Sequence, residues 1–527
     1  MASEQVANPS PHWNRARTCT NCKRRKVKCD LVRPRCGPCS RSMSYQDCEY
    51  ASEGPTNVQR LEHQIAGLQA QIRGLEDPGS RPSTPSIRSS SALRSYLPPT
   101  VAVSRVSKPF QSISGPILSR LVTNLMEHAR TQSGFFLGAG TRPDEASPAL
   151  LTTVQLWAIH FSRTQSSAPT PESEFEAPYL ARALSATADA LQHQQRRLPD
   201  QEKVVLQAIQ AHVLLANYFF RNVRIVEGRY QLGAAVGLVL AAGLHKLSGD
   251  PTEERINAFW TVYVMDCGWT VADGSPSNFP EDIQAGVDVP WPGDLSQAVP
   301  GSGTIQSFLS QPSGLGNAPP TTLRSKAAVV FERASALVAR HQPREHLHPL
   351  LSLYRRNHVE MSPDDQHNFS LAFTNMDVLL QRLRQMLVTA AGTDPDSRMA
   401  RLFASVAVIQ LHTPFAWTPS WDGQTSRTRV LEAARYVLAT SEQMQPGFEN
   451  AIVGTLLTIT FRVFLAAIAF RRSQPTLAAV ANASLPTEPE LRACSEHMLV
   501  IIRTLARGCK LIETQAMMIE EAYQGLE

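Results

Sequence analysis

Six cysteines, Cys19, Cys22, Cys29, Cys36, Cys39 and Cys48, follow the spacing C-x2-C-x6-C-x6-C-x2-C-x8-C near the start of the chain. Five cations, Lys23, Arg24, Arg25, Lys26 and Lys28, are packed among the first three. Thiols at this density either pair as disulfides or ligate metal. The opening residues, MASEQVANPSPHWNRAR, contain no apolar signal segment, so a reducing compartment and metal ligation are expected. Zinc takes four ligands in a tetrahedron. Six thiolates complete two tetrahedra when two of the sulfurs are shared, and the resulting cluster is anionic, so nearby cations offset it. The competing arrangement is a single four-cysteine ribbon of Cys19, Cys22, Cys36 and Cys39. It leaves Cys29 and Cys48 without a role. An iron–sulfur centre would use the same ligands, but nothing around them suggests electron transfer. Two zinc ions per chain are therefore the expected cofactor.

Charge points the same way. Of the net +5, residues 1–50 carry +6 and the other 477 residues carry −1. Basic character confined to the cysteine-rich end predicts a polyanion there, and nucleic acid before any other. The other cysteines, Cys267, Cys494 and Cys509, lie in helix-like sequence and read as small buried apolar side chains.

Residues 19–48 resemble the fungal binuclear zinc cluster DNA-binding domain, found in transcription factors. Pro34, in the loop before the fourth cysteine, matches that pattern. The resemblance implies that Cys19 and Cys36 bridge the two metals. It also places the basic run on a short helix that enters the major groove. Arg25 and Lys26 then read a CGG-type triplet, Lys26 foremost, because lysine and arginine donate to guanine O6 and N7. Arg17, Lys23, Arg24, Lys28 and Arg41 are assigned to phosphates. The alternative for the same run is a nuclear localisation signal or a solvated face, and the first is compatible with DNA contact.

These side chains need elements to carry and pair them. Residues 1–18 read as a disordered basic arm and 49–57 as a linker. In 58–76, Val58, Leu61, Ile65, Leu68, Ile72 and Leu75 step by 3 and 4, an a/d seam with β-branched residues at a and leucine at d. That pattern predicts a parallel two-stranded coiled coil. Thr56 with Gln59 starts it and Pro78-Gly79 stops it, while Gly67 and Gly74 weaken it. A helix packed on the body of the protein is the alternative. Residues 77–110, rich in Ser, Pro and Arg, read as a disordered linker.

From 111 to 527 the pattern is nearly all helical. Leu206, Ile209, Val213, Ala216 and Phe220 form one apolar stripe, and Phe369, Phe373, Met376, Leu380, Leu383 and Leu387 another. Tyr230 to Leu244 is apolar all round, with Gly233 and Gly237 expected at a close helix contact. Ala451 to Phe470 is long enough to span a bilayer, but Arg462 at its middle favours a buried helix and no membrane. Residues 293–325, with repeated Gly, Pro and Ser, read as a mobile insertion.

Part of this region resembles the middle regulatory region of many fungal zinc cluster factors. The matching residues are Leu244, His245, Phe259, Trp260, Asp266, Gly274, Pro276, Asp282 and Pro290, with LHTPF from Leu411. Cys267 and Ser275 stand where basic residues are common in that region. Enzyme signals are missing. Asp364-Asp365 matches the start of a metal-diphosphate motif, but Asn368 occupies its third position, and there is no G-x-S-x-G, P-loop or H-E-x-x-H.

The expected fold class is mostly α: a two-zinc cluster domain at 19–48, a short coiled coil, and a large all-α regulatory domain at 111–527. The expected function is a nuclear, sequence-specific regulator of RNA polymerase II transcription, not an enzyme. Its partners are double-stranded DNA, a second copy (a heterodimer is left open) and the transcription machinery. The alternatives are a nuclear adaptor or corepressor acting through the helical domain without specific DNA binding, and an all-α enzyme with a zinc appendage.

Overall fold

The computed structural model describes residues 18–19, 22, 26–32, 36–40, 113–129, 146–165, 174–190, 198–246, 252–293, 303–310, 318–341, 363–389, 392–417, 421–444, 450–473 and 485–525. The expected coil at 58–76, its flanking linkers and most of the N-terminal arm lie outside them. Residues 1–108 and 109–527 form two separate compact units. Among the described residues every regular element is a helix.

Among the described residues of the first unit, only cysteines are buried. Its buried cluster consists of Cys19, Cys22, Cys29, Cys36 and Cys39. One short helix, α1 (Gly37–Ser40), carries Cys39.

The second unit is a helical stack built on ordinary amphipathic faces. Its N-terminal layer is α2 (Gly115–Ala129), α3 (Pro148–Gln165) and α4 (Glu176–Ala190). Next comes α5 (Leu198–Arg221), which serves two cores. Ile209, Val213, Ala216 and Phe220, the stripe expected from the sequence, face the main core. Leu214, Leu215, Tyr218 and Phe219, on the other side of the same helix, close the core of α2 to α4.

A tight turn leads to α6 (Ile225–Ala241) and then α7 (Glu253–Asp273). Thr252 caps α7 by accepting from the Arg255 N–H at 3.4 Å, and Gly274 ends it at φ 72°, the left-handed conformation that suits glycine. Two short helices follow, α8 (Glu281–Ala285) and α9 (Thr304–Ser310). Then come α10 (Pro320–His341), α11 (Pro363–Thr389), α12 (Pro395–Ala416), α13 (Trp421–Ser441), α14 (Ile452–Ser473), α15 (Glu488–Leu505) and α16 (Lys510–Gln524). Asp394 caps α12 and Thr487 with Glu490 forms a capping box on α15, so each entry satisfies its first amides locally. The central helix α12 packs against α10, α11, α13 and α14, and is buried along nearly its whole length.

Three expectations need correction or refinement. The stretch 293–325 is not a mobile insertion in its described parts. α9 buries Ile305 and Phe308, and α10, which starts at Pro320, buries Leu323, all in the main core. The close helix contact expected at Gly233 and Gly237 on α6 is not found: a Cβ on Gly237 would meet nothing within 4 Å, and one on Gly233 only Asn278 Oδ1 at 3.5 Å. The close approach is at Gly228, where a Cβ would stand 2.4 Å from the Phe220 ring. The apolar segment at 451–470 becomes α14, of which 67% of the most apolar window is buried against its neighbours. Arg462 sits half-buried within it, its pKa lowered by desolvation.

Candidate metal centre

Sequence spacing determines how the thiols converge. In Cys19-x2-Cys22 the two sulfurs fall on one turn, and the Cys22 N–H donates to Cys19 Sγ at 3.4 Å. In Cys36-x2-Cys39 the first cysteine sits just before α1, its carbonyl accepting from the Ser40 N–H at 2.9 Å. Asp30 holds that turn from outside. Its carboxylate accepts from the Gly37 N–H at 2.9 and 3.1 Å.

The sulfurs meet at zinc-thiolate spacing. Cys19–Cys36 and Cys19–Cys39 are 3.7 Å apart, Cys22–Cys36 is 3.6 Å and Cys22–Cys39 is 3.9 Å. A tetrahedron with zinc–sulfur bonds of about 2.3 Å has edges of about 3.8 Å. The donors fit zinc in both type and distance. Cys29 lies in a second group, with Cys36 and the Asp30 carboxylate within 4.8 Å of one another. Cys36 belongs to both groups, as a shared ligand must. A four-cysteine ribbon alone would give no role to Cys29, which is 5% exposed beside Cys36. Cys48 lies outside the described residues.

Burial raises the Cys22 thiol pKa, so without a cation the thiol keeps its proton. The thiolate form depends on the metal, and zinc here supplies the cross-links that a hydrocarbon core would otherwise provide. Among the described residues, no other three metal-ligating side chains come together. Asp364 and Asp365 lie exposed in the first turn of α11, where carboxylates complement the helix dipole.

Next to the sulfurs, Lys26, Val27 and Lys28 are exposed. Lys26 has φ 54°, and the following Val27 N–H returns to the Cys22 carbonyl at 3.1 Å. This six-to-one closure with a left-handed residue inside it is a helix-ending motif in which glycine is usual. It fixes the Lys26 backbone while its ammonium faces solvent. The sequence offered no sign of it, because lysine is not a left-handed signal. Arg17, Lys23, Arg24, Arg25 and Arg41 lie outside the described residues, as do Val58, Leu61, Ile65, Leu68, Ile72 and Leu75.

Of the residues that resembled a regulatory region, Asp266 in the second unit is 1% exposed. Its carboxylate accepts from Ser277 Oγ at 2.6 Å, Asn278 Nδ2 at 2.6 Å and the Asn278 N–H at 3.0 Å. Arg229, from α6, reaches Asp266 at 3.4 Å, Asp273 at 3.4 Å and the Pro276 carbonyl at 2.8 Å. Cys267 and Ser275 bring no charge, so the cation comes from a neighbouring helix that the sequence reading did not implicate. Trp260 stacks on Trp291 at 4.3 Å and donates to the Pro290 carbonyl at 2.7 Å. His412, in LHTPF, joins Asp377 at 3.1 Å and Ser426 at 3.2 Å. These groups brace α6, α7 and α11 to α13 against one another.

Residues 17–56 match the family model of the Fungal Zn(2)-Cys(6) binuclear cluster domain. No curated protein matches the chain. The matched domain binds two zinc ions through six cysteines and belongs to DNA-binding transcription regulators, not to enzymes.

Proposed function

We propose that the chain, whose two-zinc domain makes it a DNA-binding transcription regulator, reads CGG-type triplets as a homodimer in the nucleus and regulates RNA polymerase II genes. The carrying observation is a sulfur-cored unit that presents Lys26 and Lys28 at its surface. Such a unit holds cations rigidly without a large hydrophobic core. Lys26 and Arg25 are the proposed base readers. Arg17, Lys23, Arg24, Lys28 and Arg41 are the proposed phosphate contacts, and all six cysteines, with Cys48 the sixth, the metal ligands.

Pairing follows from the economics of recognition. One cluster reading about three base pairs contacts too little DNA to find a unique site, and joining two through a coil raises effective concentration. The a/d seam from Val58 to Leu75 supports that coil, and the Asp266 network supports reading 111–527 as a rigid regulatory body. Duplexes selected from a random pool by the full chain should contain paired triplets. Replacing Leu61 and Leu68 together by glutamate should abolish tight paired-site binding and spare weak binding to one triplet. Unchanged paired-site affinity from a chain shown by sedimentation to be monomeric would defeat this reading.

A further inference from the structure

Cys19 with Cys22 and Cys36 with Cys39 are each set by a C-x2-C turn, but Cys29 reaches Cys36 across six residues. A loop of that length leaves the two sulfurs free to separate unless its ends are tied. Asp30 follows Cys29 directly, and Gly37 follows Cys36. The Asp30 carboxylate accepts from the Gly37 N–H at 2.9 Å through Oδ2 and at 3.1 Å through Oδ1. Its Oδ1 also accepts from the Val32 N–H at 3.4 Å, an Asx turn that closes over Leu31. Leu31 is held inside that turn at φ 61°, a left-handed conformation unfavourable for a residue with a Cβ. Leu31 and Val32 are exposed, so apolar burial does not offset the strain. A strained backbone persists where its surroundings over-determine it. Here one carboxylate does so, from within the turn and from across the loop.

On charge alone a carboxylate is unfavourable at this place, because the thiolate cluster is anionic and so are the DNA phosphates that the unit binds. A carboxylate oxygen of Asp30 lies within 4.8 Å of the Cys29 and Cys36 sulfurs, which leaves it two roles, metal ligand or tie. Six thiolates already complete the ligand sets of two zinc ions, and both Asp30 oxygens are within hydrogen-bond reach of the Gly37 N–H. We propose that Asp30 is a positioning residue for the second zinc, its hydrogen bonds to Gly37 holding the Cys29 and Cys36 thiolates at ligand separation. Partners that orient metal ligands in this way are worth about 10- to 100-fold in metal affinity. The four-sulfur group is closed by its C-x2-C turns and does not need the tie. The inference rests on the two-zinc domain and is independent of which bases that domain reads.

The test follows zinc release from the full chain as chelator is raised, with a zinc-sensing dye, while native mass spectrometry counts the ions left on each chain. Asp30→Ala removes both the charge and the acceptors. Asp30→Asn removes the charge but keeps an amide oxygen to accept from Gly37, so the difference between the two reports the hydrogen bond. The alanine chain should release one zinc at a chelator concentration at least about tenfold below that of wild type and keep the other near the wild-type value. The asparagine chain should release its first zinc within about fivefold of wild type, since a neutral acceptor is weaker than a charged one. If alanine releases both ions as wild type does, Asp30 is a solvated side chain and the proposal fails. If asparagine loses zinc as readily as alanine, the carboxylate acts as a ligand or through its charge, and the positioning role is wrong. If alanine loses both ions together at the lowered concentration, the tie serves the whole unit and its assignment to the second zinc is wrong. A wild-type chain that never holds more than one zinc sinks the two-zinc domain itself, an outcome distinct from the other three.

Discussion

Lys26 offers a way to separate what its backbone does from what its ammonium does. Replace it by alanine and, in a second chain, by glycine. Both changes delete the proposed contact to guanine, and both should cost about 1–3 kcal/mol at the selected duplex, roughly 5- to 150-fold in affinity. Binding to a scrambled duplex should change far less. The two variants should part company in metal retention. At φ 54°, with Val27 closed onto Cys22 at 3.1 Å, position 26 is left-handed. A Cβ there costs about 1–2 kcal/mol, and glycine avoids it at an entropic cost of about 0.5–1 kcal/mol. The glycine chain should therefore be the more stable by about 0.5–1 kcal/mol, although helix propensity alone favours alanine by about 1 kcal/mol. Folding of the unit is coupled to zinc, so the difference should appear as an about two- to fivefold higher chelator concentration needed to release metal. Chelator titration with a zinc-sensing dye measures it, and fluorescence anisotropy on the two duplexes measures DNA binding. If alanine holds zinc as tightly as glycine, the backbone argument fails. If specific and scrambled binding fall in equal proportion, Lys26 is a phosphate contact.

Cys36→Ala should remove more zinc than Cys22→Ala, because Cys36 stands in both sulfur groups; equal zinc content by mass spectrometry would contradict a shared ligand. Gly228→Ala should cost about 1–3 kcal/mol by overpacking, since its Cβ would meet a Phe220 ring already stacked on Trp269 at 3.6 Å. Gly237→Ala should be neutral or stabilising, and a melting temperature unmoved by Gly228→Ala would refute the packing argument. Burial lowers the pKa of His160, His212 and His245, so the folded chain binds fewer protons than the unfolded chain below the ordinary histidine value of about 6.5. Their stabilisation is complete above that pH and is lost as pH falls. Glu332, its pKa raised by burial, acts in the opposite sense, holding its contribution at low pH. With three histidines against one carboxyl, melting temperature should fall from pH 7.5 to 5.5, and a flat or rising profile would show that the histidines do not dominate.

The metal centre was legible because cysteine spacing is nearly the whole of its geometry. Two C-x2-C pairs must each place both sulfurs on one turn, and nothing else is buried among the described residues of that unit. The helical stripes at 206–220 and 369–387 were legible for a similar reason, since period alone fixes a buried face. What was not legible depends on contacts distant in sequence. Arg229 acquires meaning only when α6 is laid across the loop after α7, and no local pattern tells it from a surface arginine. The segment 293–325 misled because turn-forming residues dominate its composition, while Ile305, Phe308 and Leu323 do the burying. Glycine misled as well. Gly228 and Gly237 lie on one helix, yet only Gly228 meets a neighbouring side chain closely, and the sequence does not say which.

The two units differ in what can undo them. In the first, every buried apolar side chain among the described residues is a cysteine, so the packing of that part is coupled to metal binding by the thiolates. In the second, stability comes from apolar packing distributed over many helices, and the buried Asp266 is paired across a helix junction with Arg229, Ser277 and Asn278. Zinc loss therefore acts on DNA contact without touching the packing that supports the helical unit. Conversely, a change at Asp266 or Gly228 loosens the helical unit and leaves the sulfur geometry intact.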